Sequence, residues 1–393
     1  MYGLRELRWH HEFFRPQLQF AVEDFFVAKK KGEEKMSYAI HLPSYSIGTD
    51  VYQEIGEICR PYGTKVVAIG GKRAIAAVKE KLVAALEESG LEILGFLWYG
   101  GEAGYEQVEA LESERWLKQA EMIFAVGGGK ALDTAKLLGY RVNKPVFTFP
   151  TIASNCSACT SVSILYRPDG SFLQPYFFQQ PPVHAFIDTQ VIAASPSRYM
   201  WAGMGDTYAK YFESTVSSRG EKIPHYISLG LANSLTCYQP IIQYGQKALT
   251  DAKASYASWE FEQVVLSVIV STGVASILLC TDHVIDYNTG LAHAFYYALT
   301  SFPQTEQHLH GEIVAFGVLV LLLADKDMEH FHQVYRFHQK VGLPTKLTQL
   351  GIYKEEFLQV AKQASAMKDI EHYPYPVTEE MLIDAFLTLE EMK

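Results

Sequence analysis

The feature that most narrows the fold is a regular alternation between Lys65 and Pro150. "KVVAIG" is a short valine-rich run, and "RAIAAVKEKLVAALEESG" after it repeats apolar residues at helical spacing up to Gly90. "LEILGFLWYG", "EMIFAV" and "KPVFTFP" read as further strands. "GYEQVEALESERWLKQA" and "KALDTAKLLG" read as the helices between them. Short apolar strands that alternate with helices predict a parallel sheet covered on both faces. Beyond about Ser195 the alternation stops. Long helical patterns follow, broken at Pro224, Pro303, Gly342 and Pro344.

A chain of 393 residues is too long for one ordinary core. The expected organisation is an N-terminal extension over 1–35, an α/β dinucleotide-binding domain over 36–195 and an all-α domain over 196–393. The formal net charge of −10 disfavours a nucleic-acid partner. The densest cationic cluster, Lys29 to Lys35, is short and mixed with acids, as in a solvated linker. Five cysteines make no disulfide framework and suit a reducing cytoplasm. The N-terminus lacks the pattern of a secretory signal. The apolar run from Val264 to Cys280 is diluted by Ser267, Ser271, Thr272, Gly273 and Ser276, so a buried helix is expected, not a membrane span.

The stretch "AVGGGKALDTAK" (Ala125 to Lys136) carries the first chemical signal. Gly127, Gly128 and Gly129 lie between a predicted strand and a predicted helix, at the carboxyl end of the sheet. Bare backbone there can approach a phosphate, and the helix N-terminus attracts it. Lys130 would add charge. Lys130 is followed by Ala131 and lacks the spacing of a Walker loop. Taken alone, three glycines are also compatible with a tight connection.

The whole string resembles the GGGKxxDxxK signature of the iron-containing and glycerol dehydrogenase family, which shares its fold with dehydroquinate synthase. "PTIASNCSACTSVSILY" is similar to that family's loop over the nicotinamide. "AGMGDTYAKYFES" resembles its first metal-binding segment, and "GLAHAFYYALT" and "HLHGEIVAFG" its two histidine segments. "GKRAIAA", "TIASNC", "LPTKL" and "HYPYPVT" resemble a bacterial subgroup that reduces 2-oxo acids with NADPH and includes a hydroxycarboxylate dehydrogenase.

The resemblance implies a Rossmann-like α/β region followed by helices, a small-molecule substrate, a homo-oligomer, and no membrane or nucleic-acid partner. It implies one divalent metal on Asp206, His293 and His310. One carboxylate and two imidazoles suit such an ion with a position left open. Asp206 is expected to open a helix after Gly205, and His310 to open the next strongly apolar one. Cofactor contacts are implied at Gly127, Gly128, Gly129, Lys130, Asp133, Thr151, Ser154, Thr160 and Tyr166. Iron-using relatives carry a histidine four residues after the aspartate. Lys210 stands there and cannot ligate when protonated, which favours zinc over iron. His308 is expected to face elsewhere, and Cys156 and Cys159 form a CxxC without a second pair.

Two other positions depart from the family. Cys156 stands where glycerol dehydrogenases have an aspartate that contacts the polyol, so Cys156 is a substrate-side candidate. Tyr296 stands where many relatives have a second histidine, so Tyr296 or water must relay the proton. For the cofactor, Gly70 stands where an acid would bond the ribose hydroxyls, with Lys72 and Arg73 just beyond. That favours NADP(H) over NAD(H), unless both cations are merely solvated at the helix start. The function these features imply is hydride transfer between a small alcohol and a carbonyl, in particular 2-oxo acid reduction. Glycerol oxidation, a dehydroquinate synthase-like cyclisation and a nucleotide-binding relic are the alternatives. The dense basic set that a phosphorylated substrate would need is not seen near the metal motifs.

Overall fold

The computed structural model describes residues 38–280 and 287–392. The expected extension over 1–35 and its basic cluster lie outside the described residues. Ile40–Lys393 makes one compact unit. Its first half is an α/β region with a parallel sheet, and its second half is helical.

Six strands form that sheet: β1 (Tyr45–Gly48), β2 (Lys65–Gly70), β3 (Glu92–Trp98), β4 (Met122–Gly127), β5 (Val146–Pro150) and β8 (His184–Asp188). Their order is β1-β8-β5-β4-β2-β3, and every pairing is parallel. β6 (Val162–Tyr166) and β7 (Phe172–Phe177) form a separate antiparallel hairpin. β1, β8 and the hairpin lie outside the alternating segment and were not anticipated.

The period of two along β2 sorts its side chains. Val66 and Ala68 join Phe124, Phe147, Phe149 and Phe186 on one face, under the Lys72–Ser89 helix. Val67 and Ile69 face the other way, into a cluster that runs on without a break through the helical half. The Lys72–Ser89 helix stops as expected. Gly90 takes φ 64° and its N–H reaches back to Glu87 and Leu86. The helix read across 104–120 is two pieces, Tyr105–Glu112 and Arg115–Gln119. Glu114 is extended between them, and the break lets the Trp116 ring lie on Gly95 of β3.

The strand order reverses between β2 and β4. Chain leaving β2 goes to the edge strand β3, then returns across β2 to β4. Such a reversal opens a crevice at the carboxyl ends of the two strands. Gly70 and Gly127, the last residues of β2 and β4, stand at its two lips.

In the helical half, Trp259–Leu279 runs as one helical stretch with a π-helical segment at Ser267–Ser271. By length and composition this stretch is apolar enough to cross a membrane. Phe261, Val264, Val265, Val268 and Ile269 are fully buried within the fold, as expected for a core helix.

Candidate active site

The glycine turn answers to its position. Gly127 ends β4 at φ 144°, a conformation that side chains rarely adopt. Gly128 precedes the Gly129–Arg141 helix and offers its first turn no side-chain cap. The Ala131 N–H of that turn returns to the Gly128 carbonyl, and the Gly129 and Lys130 N–H groups lie ahead of it at the crevice. A side chain on Gly128 would meet Ile152, and one on Gly129 would meet Asn155. The 151–156 segment thus lies directly over the turn.

The charged residues after the glycines have separate partners. Lys130 binds Glu102 at 2.6 Å and lies over the Tyr166 ring at 4.9 Å. Asp133 and Lys136 form a buried ion pair at 2.9 Å. Lys136 Nζ also donates to the Ser157 and Val162 carbonyls and to Thr160 Oγ1, while Asp133 accepts from Ser157 Oγ and the Ile164 N–H. Asp133 and Thr160 are therefore engaged in clamping the 157–164 stretch beneath the turn. Thr151 is tied to the turn itself, its N–H donating to the Gly127 carbonyl at 3.1 Å.

Across the crevice, Lys72 stacks on Trp98 at 4.6 Å and Arg73 is exposed. A side chain at Gly70 would approach the Val126 carbonyl oxygen to 2.2 Å. Glycine there is required by the close pairing of β2 with β4, whatever the ligand.

The second cluster comes from three helices. Asp206 lies in the middle of Arg198–Ser217, not at a helix start as the sequence suggested, because the helical pattern begins eight residues earlier. His293 is in Leu291–Leu299, and His310 opens His310–Ala324 as expected. The first and third of these helices touch backbone to backbone. A side chain on Gly205 would collide with the Gly311 carbonyl at 2.3 Å, and one on Gly311 with the Ala202 carbonyl at 2.0 Å. That crossing places Asp206 beside His310.

Asp206 Oδ1 lies 3.4 Å from Nε2 of both His293 and His310. One donor atom from each of the three residues lies within 4.8 Å of the others, so they could hold one cation. Burial alone would raise the Asp206 carboxyl, but the two imidazoles outweigh it and hold it well below the usual carboxylate range. Tyr296 packs edge-on to the His310 ring, centroids 4.2 Å apart. Burial, then the Asp206 charge, pushes its hydroxyl up. His308 turns to Glu312 at 2.8 Å instead of joining the cluster.

Sequence reasoning missed Glu213. It is fully buried and accepts from the N–H groups of Gly290 and His293, each at 2.9 Å, and pairs with His293 Nδ1 at 2.7 Å. It caps one helix and fixes the His293 ring so that Nε2 faces Asp206. Burial would lower the His293 imidazole, but the Glu213 carboxylate foremost raises it to about 9. The available signal was spacing: Asp206, Lys210 and Glu213 fall at i, i+4 and i+7 on one helix face.

One loop joins the two clusters. Beyond Ile152 and Asn155, it presses Ala153 and Ser154 against Gly203, whose added side chain would meet the Ala153 carbonyl at 2.5 Å. Cys156 then feels the charges of Lys210 and Asp206, with burial raising its thiol to about 11. A six-residue loop spans at most about 20 Å, so the glycine turn and the cation cluster share one cleft.

Residues 43–189 match the profile of a family described as iron-containing alcohol dehydrogenase. The chain is 33% identical to a glycerol dehydrogenase of Thermotoga maritima, over 74% of this chain and 79% of that one. It is 32% identical to hydroxycarboxylate dehydrogenase A of Escherichia coli, over 84% and 90%. In three dimensions it is similar to the crystal structure of glycerol dehydrogenase from Schizosaccharomyces pombe, with a TM-score of 0.78, 25% identity and 91% of each chain covered.

Proposed function

Because the chain belongs to the iron-containing alcohol dehydrogenase family and is an oxidoreductase acting on alcohols, we propose that it reduces a small 2-oxo acid to the 2-hydroxy acid with NADPH. Asp206, His293 and His310 hold one divalent metal in this reading, and zinc is favoured because Lys210 fills the position of a fourth ligand. The donor set fits: one carboxylate oxygen and two imidazole nitrogens converge, and Glu213 fixes the tautomer of one of them. When bound, the metal polarises the substrate oxygen and the dinucleotide carries the hydride.

The protein's own residues do the rest. Gly128 and Gly129 let the backbone approach the pyrophosphate, with the helix N-terminus behind them. The 151–156 loop seats the reacting ends together and keeps water out. The raised Tyr296 hydroxyl stays protonated, so its Oη is a proton donor toward the substrate oxygen during reduction. Lys72 and Arg73 face the ribose end, and no acid stands at Gly70 to repel a 2′-phosphate.

What carries this reading is the loop from Thr151 to Cys156, which touches the glycine turn at one end and reaches the cation cluster at the other. A second reading, glycerol oxidation with NAD, has support from relatives named glycerol dehydrogenase. The neutral Cys156 thiol argues against it. Metal analysis with steady-state rates for 2-oxo acids, hydroxyketones and polyols, each with both cofactors, separates the two. Faster turnover of glycerol than of any 2-oxo acid would sink the first reading.

A further inference from the structure

Two lysines are buried in this fold to a similar degree, Lys136 at 4% exposure and Lys210 at 6%. Lys136 is surrounded: an aspartate, two carbonyls and a hydroxyl receive its ammonium. Lys210 donates to one neutral group, the Asn288 carbonyl at 2.5 Å, and among the described residues no carboxylate lies within ion-pair distance. A buried ammonium met by a single carbonyl among the described residues can still accept an anion.

Its surroundings indicate what that anion is. Lys210 sits one turn beyond Asp206 on the same helix. Its charge is felt at His293 and, from the opposite wall, at Cys156. Cys156 is held as a neutral thiol, so it leaves the positive charge unanswered.

We propose that Lys210 binds the carboxylate of the substrate and so selects 2-oxo acids over neutral carbonyl compounds. A 2-oxo acid carries its carboxylate one bond from the carbonyl carbon. Asp206 and Lys210 are four residues apart on one helix, so their side chains leave the same face toward the cleft. This assignment rests on the reading of Asp206, His293 and His310 as the place where the carbonyl is reduced.

The test compares Lys210→Met and Lys210→Arg with the parent protein, all loaded with metal and checked for metal content and melting temperature. Pyruvate and hydroxyacetone are the substrates, matched in size and differing in charge. Loss of a charge-assisted hydrogen bond is expected to lower the pyruvate-to-hydroxyacetone ratio of kcat/KM about tenfold to a hundredfold in Lys210→Met, mainly through KM. Lys210→Arg is expected to recover part of that ratio. Independently of turnover, calorimetry with oxamate on the protein–dinucleotide complex is expected to show binding to the parent and its loss in Lys210→Met. A parent protein that reduces hydroxyacetone but not pyruvate overturns the 2-oxo acid reading. Oxamate binding that depends on Lys210 then still supports the anion site. Unchanged oxamate affinity and an unchanged substrate ratio in Lys210→Met overturn the proposal.

Discussion

The two walls of the cleft are built in opposite ways. On the sheet side the site is main chain: three consecutive glycines, one helix N-terminus and a loop lying over them. On the helical side it is side chain: Asp206, His293 and His310 come from three helices and are aimed by a buried glutamate. A backbone site tolerates changes in neighbouring side chains but no added bulk. A side-chain site loses its chemistry when one group is removed, even where the fold is indifferent. Wall-specific variants therefore test whether the two sites fail separately.

His310→Ala is expected to do the most damage. The His310 side chain is 42% exposed, so the fold should survive while bound metal and turnover fall below detection. Elemental analysis beside circular dichroism checks this, and full activity after chelation would break the comparison at its root.

Acid should weaken the helical side first. His338 is buried, takes a hydrogen bond from the Tyr208 hydroxyl at Nε2 and donates from Nδ1 to the Pro344 carbonyl. Burial lowers its imidazole to about 4, against an unfolded value near 6.5. The unfolded chain therefore takes up the proton first. Stability is whole above about pH 6.5 and declines as pH falls toward 4, by about 3 kcal/mol in total. Denaturant midpoints at several pH values read the slope, and His338→Gln should flatten it.

Glu213→Gln removes the carboxylate behind His293 while keeping the shape. Metal affinity should drop about tenfold to a hundredfold, read by competition with a chelator. Gly128→Val should leave metal content alone and weaken dinucleotide binding about tenfold, since the new side chain meets Ile152 at the loop. If both ligands weaken together, the loop transmits damage and the walls are not independent. The smallest effect belongs to Arg73→Ala. An exposed cation contributes roughly 1 kcal/mol or less, so NADPH binding should weaken a few-fold with NADH unchanged. A clear NADH preference indifferent to this change would end the case for NADPH.

The same contrast explains what the sequence could and could not reveal. The strands from Lys65 to Pro150 and the glycine turn are local patterns, and contiguous residues spell them out. The carboxyl-end position of Gly127 followed from strand-then-helix order alone. The cation cluster spans Asp206 to His310, and no periodicity links residues so far apart. Family resemblance proposed that set, and the helix crossing supplies the reason these residues meet. Glu213 stayed hidden because a buried acid looks like any acid until its partners are placed. Gly70 read as a statement about cofactor charge, whereas the strand pairing at Val126 already demands glycine. That Asp133 also pairs with the buried Lys136 could not be read from its place in the motif.

The contact between Gly205 and Gly311 bears on how such a site can change over time. Because two main chains touch there, the offset between Asp206 and His310 is set by peptide geometry and not by the size of surrounding side chains. The crossing behaves as a fixed mount. Residues around it, such as Cys156, Lys210 and Tyr296, are free to be exchanged for others suited to a new substrate, and the alignment of the cation cluster survives each exchange. Selectivity in this architecture can drift while its reactive geometry stands still.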